Sequence, residues 1–162
     1  MERYFEFSSC GSDDVGATPC LAATARARLD RWPDRRESVM DKRVLVSVVD
    51  DDESVRESLP DLLKELGYAA RTFASAEEFL VSSYVGQTSC LILDVAMPGM
   101  SGPDLERELK RQGYAIPIIF ITAVGDERMR PRLLQEGAVD CLFKPFGDIA
   151  LNEALSSALR MN

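Results

Sequence analysis

The chain has 162 residues, a length that fits one domain, and its 46% apolar and 28% charged residues are an ordinary mixture for a globular protein. Its net charge of −8 argues against non-specific nucleic-acid binding, which needs Lys and Arg to neutralise phosphates. Because the chain has no His, it lacks the usual general base at neutral pH and the commonest zinc ligand, so any metal is expected to be a hard cation bound by oxygen.

The cysteines and the apolar runs indicate the compartment. The four cysteines show neither the paired spacing of a metal site nor a dense disulfide pattern: Cys10, Cys20, Cys90 and Cys141. The N-terminus lacks the unbroken apolar segment of a signal peptide, and no apolar run approaches the roughly 18 residues of a membrane-spanning helix. We therefore expect a soluble protein of the reducing cytoplasm that has no contact with a membrane.

Residues 1–41 differ in character from the rest of the chain. They begin with a small, polar, turn-forming stretch at 8–14, and an Ala-rich stretch at 21–29 predicts a short helix that Trp32-Pro33 ends. We expect a flexible N-terminal extension over residues 1–41 and a folded domain over residues 42–162. Because the patterned sequence begins close to Met40, we hypothesise that Met40 is an alternative or native start.

From residue 43 onward, short apolar runs alternate with segments that have apolar residues at helical spacing. The runs predict five strands, at 44–49, 69–73, 91–93, 116–121 and 139–143. The other segments predict five helices, at 53–66, after Ser75, at 102–112, up to 136, and at 147–161. Pro60 lies inside the first helix, where we expect a bend or an unpaired carbonyl. This alternation predicts an α/β fold with a parallel sheet, helices on both faces and right-handed connections.

Polar residues end four of these strands. They are Asp50, Asp51 and Asp52 after the first strand, Asp94 after the third, Thr122 after the fourth and Lys144 after the fifth. A lone Asp at a strand end most often only terminates the strand. Because the carboxyl ends of parallel strands meet at one edge of a sheet, however, we expect these side chains to converge there.

The converging residues suit phosphoryl transfer. Three carboxylates at Asp50, Asp51 and Asp94 would repel one another by about 4 kcal/mol per pair at 4 Å and an effective dielectric constant near 20, so they need a cation. With oxygen ligands only, Mg²⁺ fits best. Lys144 would hold a phosphoryl oxygen through its point charge, and Thr122 would donate its hydroxyl to another.

Four stretches of the chain match a known family in order and spacing, although each alone would be a weak signal. They are Val48 to Arg56, Leu93 to Gly102, Ile121-Thr122-Ala123 and Lys144-Pro145-Phe146. From about residue 42 to 160, the chain resembles a response-regulator receiver domain of two-component signalling, most of all the nitrogen-fixation-regulator type. The resemblance implies a flavodoxin-like, doubly wound (βα)₅ fold with a five-stranded parallel sheet in the order 2-1-3-4-5.

The resemblance also implies a role for each residue of the site. Asp94 would be the phosphoacceptor, taking a phosphoryl group from the phosphohistidine of a sensor histidine kinase. Asp51 would bind Mg²⁺ directly and Asp50 largely through water, with Asp94 and the backbone carbonyl of Ala96 as further ligands.

Two more residues complete the implied site. Thr122 and Lys144 would bind the phosphoryl oxygens, and their movement would relay the switch. The Lys144-Pro145 bond would be cis. Asp52 has no implied role, and we interpret it as a solvated start to the first helix, favoured by the helix dipole.

The chain departs from the family pattern at two positions. The family usually has an aromatic residue three positions before the lysine, where this chain has Cys141. Because a small thiol cannot sweep the volume of a ring, the resemblance does not extend to the relay from Thr122 to an aromatic ring. Pro131 lies in the helix after Thr122, and because proline is tolerated only in a first turn, we expect this helix to begin late, near Arg130, or to kink.

The expected output is protein contact and not catalysis. No helix-turn-helix segment follows the last predicted helix and no basic patch replaces it, so we interpret the chain as a stand-alone receiver that is not an enzyme and does not bind nucleic acid. Its expected partners are a histidine kinase and a downstream protein or phosphotransfer protein, and a phosphorylation-dependent homodimer is compatible with the pattern. The alternative is a truncated transcriptional response regulator.

Three other functions remain open from the sequence. The strongest is a small Mg²⁺-dependent phosphatase of the haloacid-dehalogenase type, in which Asp50-x-Asp52 would supply the nucleophile and the acid. A flavodoxin-like cofactor carrier would need a phosphate loop where this chain has three aspartates. A degenerate receiver that binds partners without phosphorylation would not need the complete acidic cluster.

Overall fold

The computed structural model describes residues 43–123 and 127–161. The expected extension over residues 1–41 and the hypothesised start at Met40 lie outside this part of the chain. No helix among the described residues is long and apolar enough to cross a membrane.

Five strands form one sheet, and every neighbouring pair is parallel. The strands are β1 (Leu45–Val49), β2 (Ala69–Phe73), β3 (Cys90–Asp94), β4 (Ile118–Ala123) and β5 (Asp140–Lys144). Their order is β2-β1-β3-β4-β5. The predicted doubly wound α/β fold and its 2-1-3-4-5 order are therefore confirmed.

Five α-helices connect and cover the strands. They are α1 (Glu53–Glu65), α2 (Ala76–Val81), α3 (Gly102–Arg111), α4 (Met129–Glu136) and α5 (Asp148–Arg160). A short 3-10 helix at Val85–Gln87, which the sequence pattern did not predict, precedes β3. Each predicted helix is present, with ends within a few residues of the predicted bounds.

The sheet is buried on both faces, which explains why its strands are continuous apolar runs and not alternating ones. In β3, all five residues are buried. Leu91 and Leu93 pack in one core with residues of α2, α3 and α4, whereas Ile92 packs in the other core with residues of α1 and α5. This alternation follows the two-residue period of a strand.

Local signals set where the helices begin. The Asp52 carboxylate accepts a hydrogen bond from Ser54 N at 3.0 Å and caps α1, so the prediction that Asp52 starts this helix is confirmed. Helix α1 continues through Pro60, which has no N–H to donate to the preceding turn. Helix α4 begins only at Met129, so Pro131 lies in its first turn, as predicted.

Candidate functional site

The sheet register brings the acidic residues of β1 and β3 to one edge. Strands β1 and β3 are neighbours, and Val49 pairs with Leu93. Asp50 follows Val49 and Asp94 follows Leu93, so the two carboxylates leave adjacent strands at the same level. The convergence that the sequence predicted is therefore present in the fold.

Asp50, Asp51 and Asp94 form a tight carboxylate cluster. Each offers one oxygen, and the three oxygens lie within 4.8 Å of one another. Asp50 is fully buried and Asp94 is 6% exposed, whereas Asp51 is exposed. The cluster is therefore a shallow site that is closed on the protein side and reached from solvent at Asp51.

Lys144 is the cation closest to this cluster in the described part of the chain. Its Nζ lies 2.8 Å from Asp50 Oδ2 and 3.5 Å from Asp94 Oδ1. The cis peptide bond between Lys144 and Pro145, which the resemblance implied, follows directly at the end of β5. One ammonium against three carboxylates leaves an excess of two negative charges when all of them are ionised.

The residues present fit a hard divalent cation. Asp50 Oδ2 is buried and, among the described residues, no group donates a hydrogen bond to it with suitable geometry, although Lys144 Nζ is close enough for an ion pair. A buried carboxylate oxygen of this kind is uncommon unless an ion or water completes its surroundings. Three carboxylate oxygens together are the donor set that Mg²⁺ prefers.

The electrostatics of the site raise the pKa values of both Asp94 and Lys144, which disfavours the charged form of Asp94 and favours that of Lys144. Burial raises the pKa of Asp94 to about 6, the charge of Asp50 adds to this rise, and Lys144 opposes it. Burial alone would lower the pKa of Lys144, but the carboxylates of Asp50 and Asp94 outweigh burial and leave that pKa raised. Lys144 is therefore a fixed positive charge at neutral pH, whereas Asp94 ionises at an energetic cost that a further cation would relieve.

Thr122 lies on the strand next to that of Asp94, and Ala96 is two residues beyond Asp94 in the chain. Asp94 pairs with Ile121 across β3 and β4, so Thr122 is one residue beyond that pair on the neighbouring strand, where it is buried. Ala96 is exposed in the loop that follows Asp94. The structure thus places every predicted site residue at the same edge of the sheet.

Two supporting contacts were not predicted from the sequence. Arg56 Nη1 donates to the carbonyl oxygen of Asp50 at 2.9 Å, and the backbone N–H of Asp52 donates to Asp50 Oδ1 at 2.8 Å. Together they fix the end of β1. Arg56 belongs to the first matching stretch, so its presence there was a signal, but only the turn of α1 back towards β1 shows what it contacts.

Gly102 was also missed as a site residue. A Cβ atom at this position would overlap the carbonyl oxygen of Asp94 and lie 3.1 Å from the Phe120 ring. Helix α3 therefore begins against the strand end that carries Asp94, and only glycine allows this approach. The Gly in the sequence was visible, but the closeness of the two backbones was not.

Cys141 and Asp52 bear on the open questions from the sequence. Cys141 is 2% exposed and packs in the same core as Phe120 and Leu133, and burial raises the pKa of its thiol. The position where the resemblance implied an aromatic ring therefore holds a small, buried thiol. The Asp52 carboxylate is engaged as the α1 cap, at the position where the phosphatase alternative required an acid.

Comparisons with known proteins agree with this geometry. Residues 46–156 match the family model of the response regulator receiver domain. The chain is 47% identical over 116 residues to Nodulation protein W of Bradyrhizobium diazoefficiens, covering 72% of this chain and 51% of that protein. It is 38% identical over 120 residues to the transcriptional regulatory protein FixJ of Azorhizobium caulinodans, covering 74% of this chain and 57% of that protein.

Solved structures show the same relationship. The crystal structure of FixJ-N has a TM-score of 0.67 and 37% identity, with 75% of this chain and 97% of that chain covered. The structure of the response regulator StyR has a TM-score of 0.68 and 45% identity, with 74% of this chain and 61% of that chain covered. The chain spans about half the length of the curated relatives it matches. With this match over most of its length, the chain belongs to the response regulator receiver domain family of two-component signalling.

Proposed function

We propose that Asp94 is the phosphoacceptor of a two-component phosphorelay. The observation that carries the proposal is the cluster of Asp50, Asp51 and Asp94 beside the Lys144 ammonium. A carboxylate oxygen of Asp94 bonds to the phosphorus atom as the P–N bond of a kinase phosphohistidine breaks. The electron pair of that bond stays on the imidazole nitrogen, which takes up a proton.

Lys144 and Thr122 act on the transferred group. The Lys144 ammonium, already 3.5 Å from Asp94 Oδ1, offers a positive charge to one phosphoryl oxygen. Thr122, at the end of the adjacent strand, offers its hydroxyl to another. Positioning and neutralisation of charge of this kind supply most of the catalysis in phosphoryl transfer.

Mg²⁺ would be held by the carboxylates of Asp50, Asp51 and Asp94 and by the carbonyl oxygen of Ala96. When bound, the ion neutralises the excess charge of the cluster and of the incoming phosphoryl oxygens. Asp50 contributes a buried carboxylate that accepts a hydrogen bond from Asp52 N, and Arg56 holds the Asp50 backbone through its carbonyl oxygen. Asp51 contributes at the solvent side.

Intact-mass measurement tests the phosphoacceptor. Wild-type protein incubated with acetyl phosphate and Mg²⁺ is expected to gain one phosphoryl group, and Asp94→Asn to gain none. Asp61→Asn, a change at an exposed aspartate of α1, serves as the control and should be labelled like the wild type. If Asp94→Asn is still labelled while Asp50→Asn is not, the phosphatase alternative replaces this proposal.

The partners follow from the same chemistry. We propose that a sensor histidine kinase supplies the phosphoryl group and that the phosphorylated receiver signals through contact with a downstream protein, a phosphotransfer protein or a second copy of itself. A pull-down with beryllofluoride-activated protein against untreated protein tests the switch, and light scattering of the two forms tests the homodimer. A partner that binds both forms equally would refute the switch.

We propose further that the receiver works in the cytoplasm and that its native chain starts near Met40. Immunoprecipitation from the cytoplasmic fraction of the native host, with an antibody against residues 43–161 and mass spectrometry of the captured protein, tests both points. Capture from that fraction with a native N-terminus at Met40 supports the proposal. Recovery of native peptides upstream of Met40 refutes the later start.

A further inference from the structure

The loop between β3 and α3 makes few hydrogen bonds to other elements, although Val95 and Met97 are buried in the core. Residues 95–101 follow Asp94 and include Ala96, a proposed ligand of the metal. Within the ranges 43–123 and 127–161, a single hydrogen bond joins residues 96–100 to another element, from the backbone N–H of Met100 to Glu77 Oε1 at 3.1 Å. Glu77 lies 23 residues away in the sequence, in the first turn of α2.

The Glu77 carboxylate also lies against the turn of this loop. Gly99 has a φ of +78°, and a Cβ atom there would be 3.0 Å from Glu77 Oε1. The backbone N–H groups of Glu77 itself and of Met100 hold the pKa of this carboxyl below its usual value, so it stays ionised. The same carboxylate therefore lies against the Gly99 turn and accepts the hydrogen bond from Met100 N.

The Glu77–Met100 contact lies next to the end of β1 that carries the acidic residues. Strands β2 and β3 flank β1 in the sheet. Helix α2 follows β2, and the loop 95–101 follows β3, so the Glu77–Met100 hydrogen bond ties together the two segments on either side of the end of β1. Asp50 and Asp51 lie at that end.

We propose that Glu77 is a positioning residue of the Mg²⁺ site, which holds the loop 95–101 so that the Ala96 carbonyl stays beside the carboxylate cluster. This inference rests on the proposed function of the cluster. The Glu77 side chain is exposed and its hydrogen bond competes with water. We therefore expect removal of this carboxylate to weaken Mg²⁺ binding by about three- to tenfold and not to abolish it.

Three variants test the proposal. Glu77→Ala removes the acceptor, and Glu77→Gln keeps an oxygen that accepts from Met100 N. Glu78→Ala is the matched control, because Glu78 Oε2 accepts from Ala74 N at 2.7 Å in the same turn of α2 without contacting the loop. The readouts are the Mg²⁺ dissociation constant from an amide chemical-shift titration, the hydrogen-exchange rate of the Met100 amide in EDTA, and the melting temperature.

We expect Glu77→Ala to raise the Mg²⁺ dissociation constant by about three- to tenfold and to speed exchange of the Met100 amide by a similar factor. Glu77→Gln and Glu78→Ala are expected to stay within about twofold of the wild-type dissociation constant, although Glu78→Ala lowers the melting temperature. Unchanged Mg²⁺ affinity in Glu77→Ala, an equal loss in Glu78→Ala, or an equal loss in Glu77→Gln would each overturn the proposal.

Failure of the positioning role and failure of the proposed function have different signatures. If wild-type protein binds no Mg²⁺ and gains no mass with acetyl phosphate, the phosphoacceptor proposal fails. If wild-type protein binds Mg²⁺ and is labelled at Asp94 while Glu77→Ala binds Mg²⁺ equally well, only the positioning role fails.

Discussion

Asp94→Asn is expected to stabilise the protein in the absence of metal, because it removes a buried carboxylate that its surroundings disfavour. Burial and the charge of Asp50 raise the pKa of Asp94 from 3.8 to about 6, against the opposing effect of Lys144. Since one pKa unit corresponds to about 1.4 kcal/mol and solvent screens part of the interaction, ionised Asp94 lowers the free energy of unfolding by about 1–3 kcal/mol at pH 7.5.

The sign of this effect fixes its pH dependence. The native carboxyl group binds its proton more tightly than the unfolded one, so the wild type loses stability as the pH rises from about 4 to about 6. The advantage of Asp94→Asn should therefore be about 1–3 kcal/mol at pH 7.5 and about half of that at pH 5. Mg²⁺ should stabilise the wild type more than the variant, because only the wild type keeps all three carboxylates.

Urea unfolding in EDTA at the two pH values measures the difference. Asp61→Asn is the control. Asp61 has an 80% exposed side chain whose pairing with Lys64, at 3.4 Å, is open to solvent, so this change should lie within about 0.5 kcal/mol of zero. An Asp94→Asn variant that is no more stable than the wild type at pH 7.5 would refute the reasoning. So would a gain that is equally large at pH 5.

Three further substitutions probe the surroundings of the site. Gly102→Ala should lower the free energy of unfolding by about 1–3 kcal/mol in urea melts and slow labelling with acetyl phosphate, because its Cβ atom overlaps the strand end, whereas Gly86→Ala, in open space, should leave labelling unchanged. Lys144→Met should lower the free energy of unfolding by about 3 kcal/mol in EDTA, because Asp50 stays buried without its cation, and Mg²⁺ should restore part of the loss. Ser75→Ala should lower the free energy of unfolding by about 1 kcal/mol, because α2 loses its cap, and should leave the fraction labelled by acetyl phosphate unchanged.

The individual elements of the fold were predictable because their signals are local. An apolar run such as Leu91 to Leu93 allows few structures other than a buried strand, and Ser75 with Glu78 three residues later marks a helix start. The late start of α4 followed from Pro131, since the proline ring tolerates only a first turn. The 3-10 helix at Val85–Gln87 gave no such signal, because one short turn has no periodicity of its own.

The contacts around the site were harder to predict because they join residues far apart in the chain. The sequence indicated that Asp94, Thr122 and Lys144 end strands, and topology then brought them to one edge. It did not indicate that Lys144 lies closer to Asp50 than to Asp94. That preference depends on how a long, flexible side chain settles among three carboxylates, which no spacing along the chain encodes.

The sequence by itself determined the residue types of the site, the alternation of strands and helices, and hence the edge of the sheet where charge collects. Only the tertiary structure decided which backbones approach one another, as Gly102 approaches the Asp94 carbonyl and Met100 approaches Glu77. The physical reason is the distance along the chain over which each interaction acts. Propensities, caps and periodicity act within a few residues, whereas burial, ion pairing and close packing depend on distances that exist only once the chain has folded.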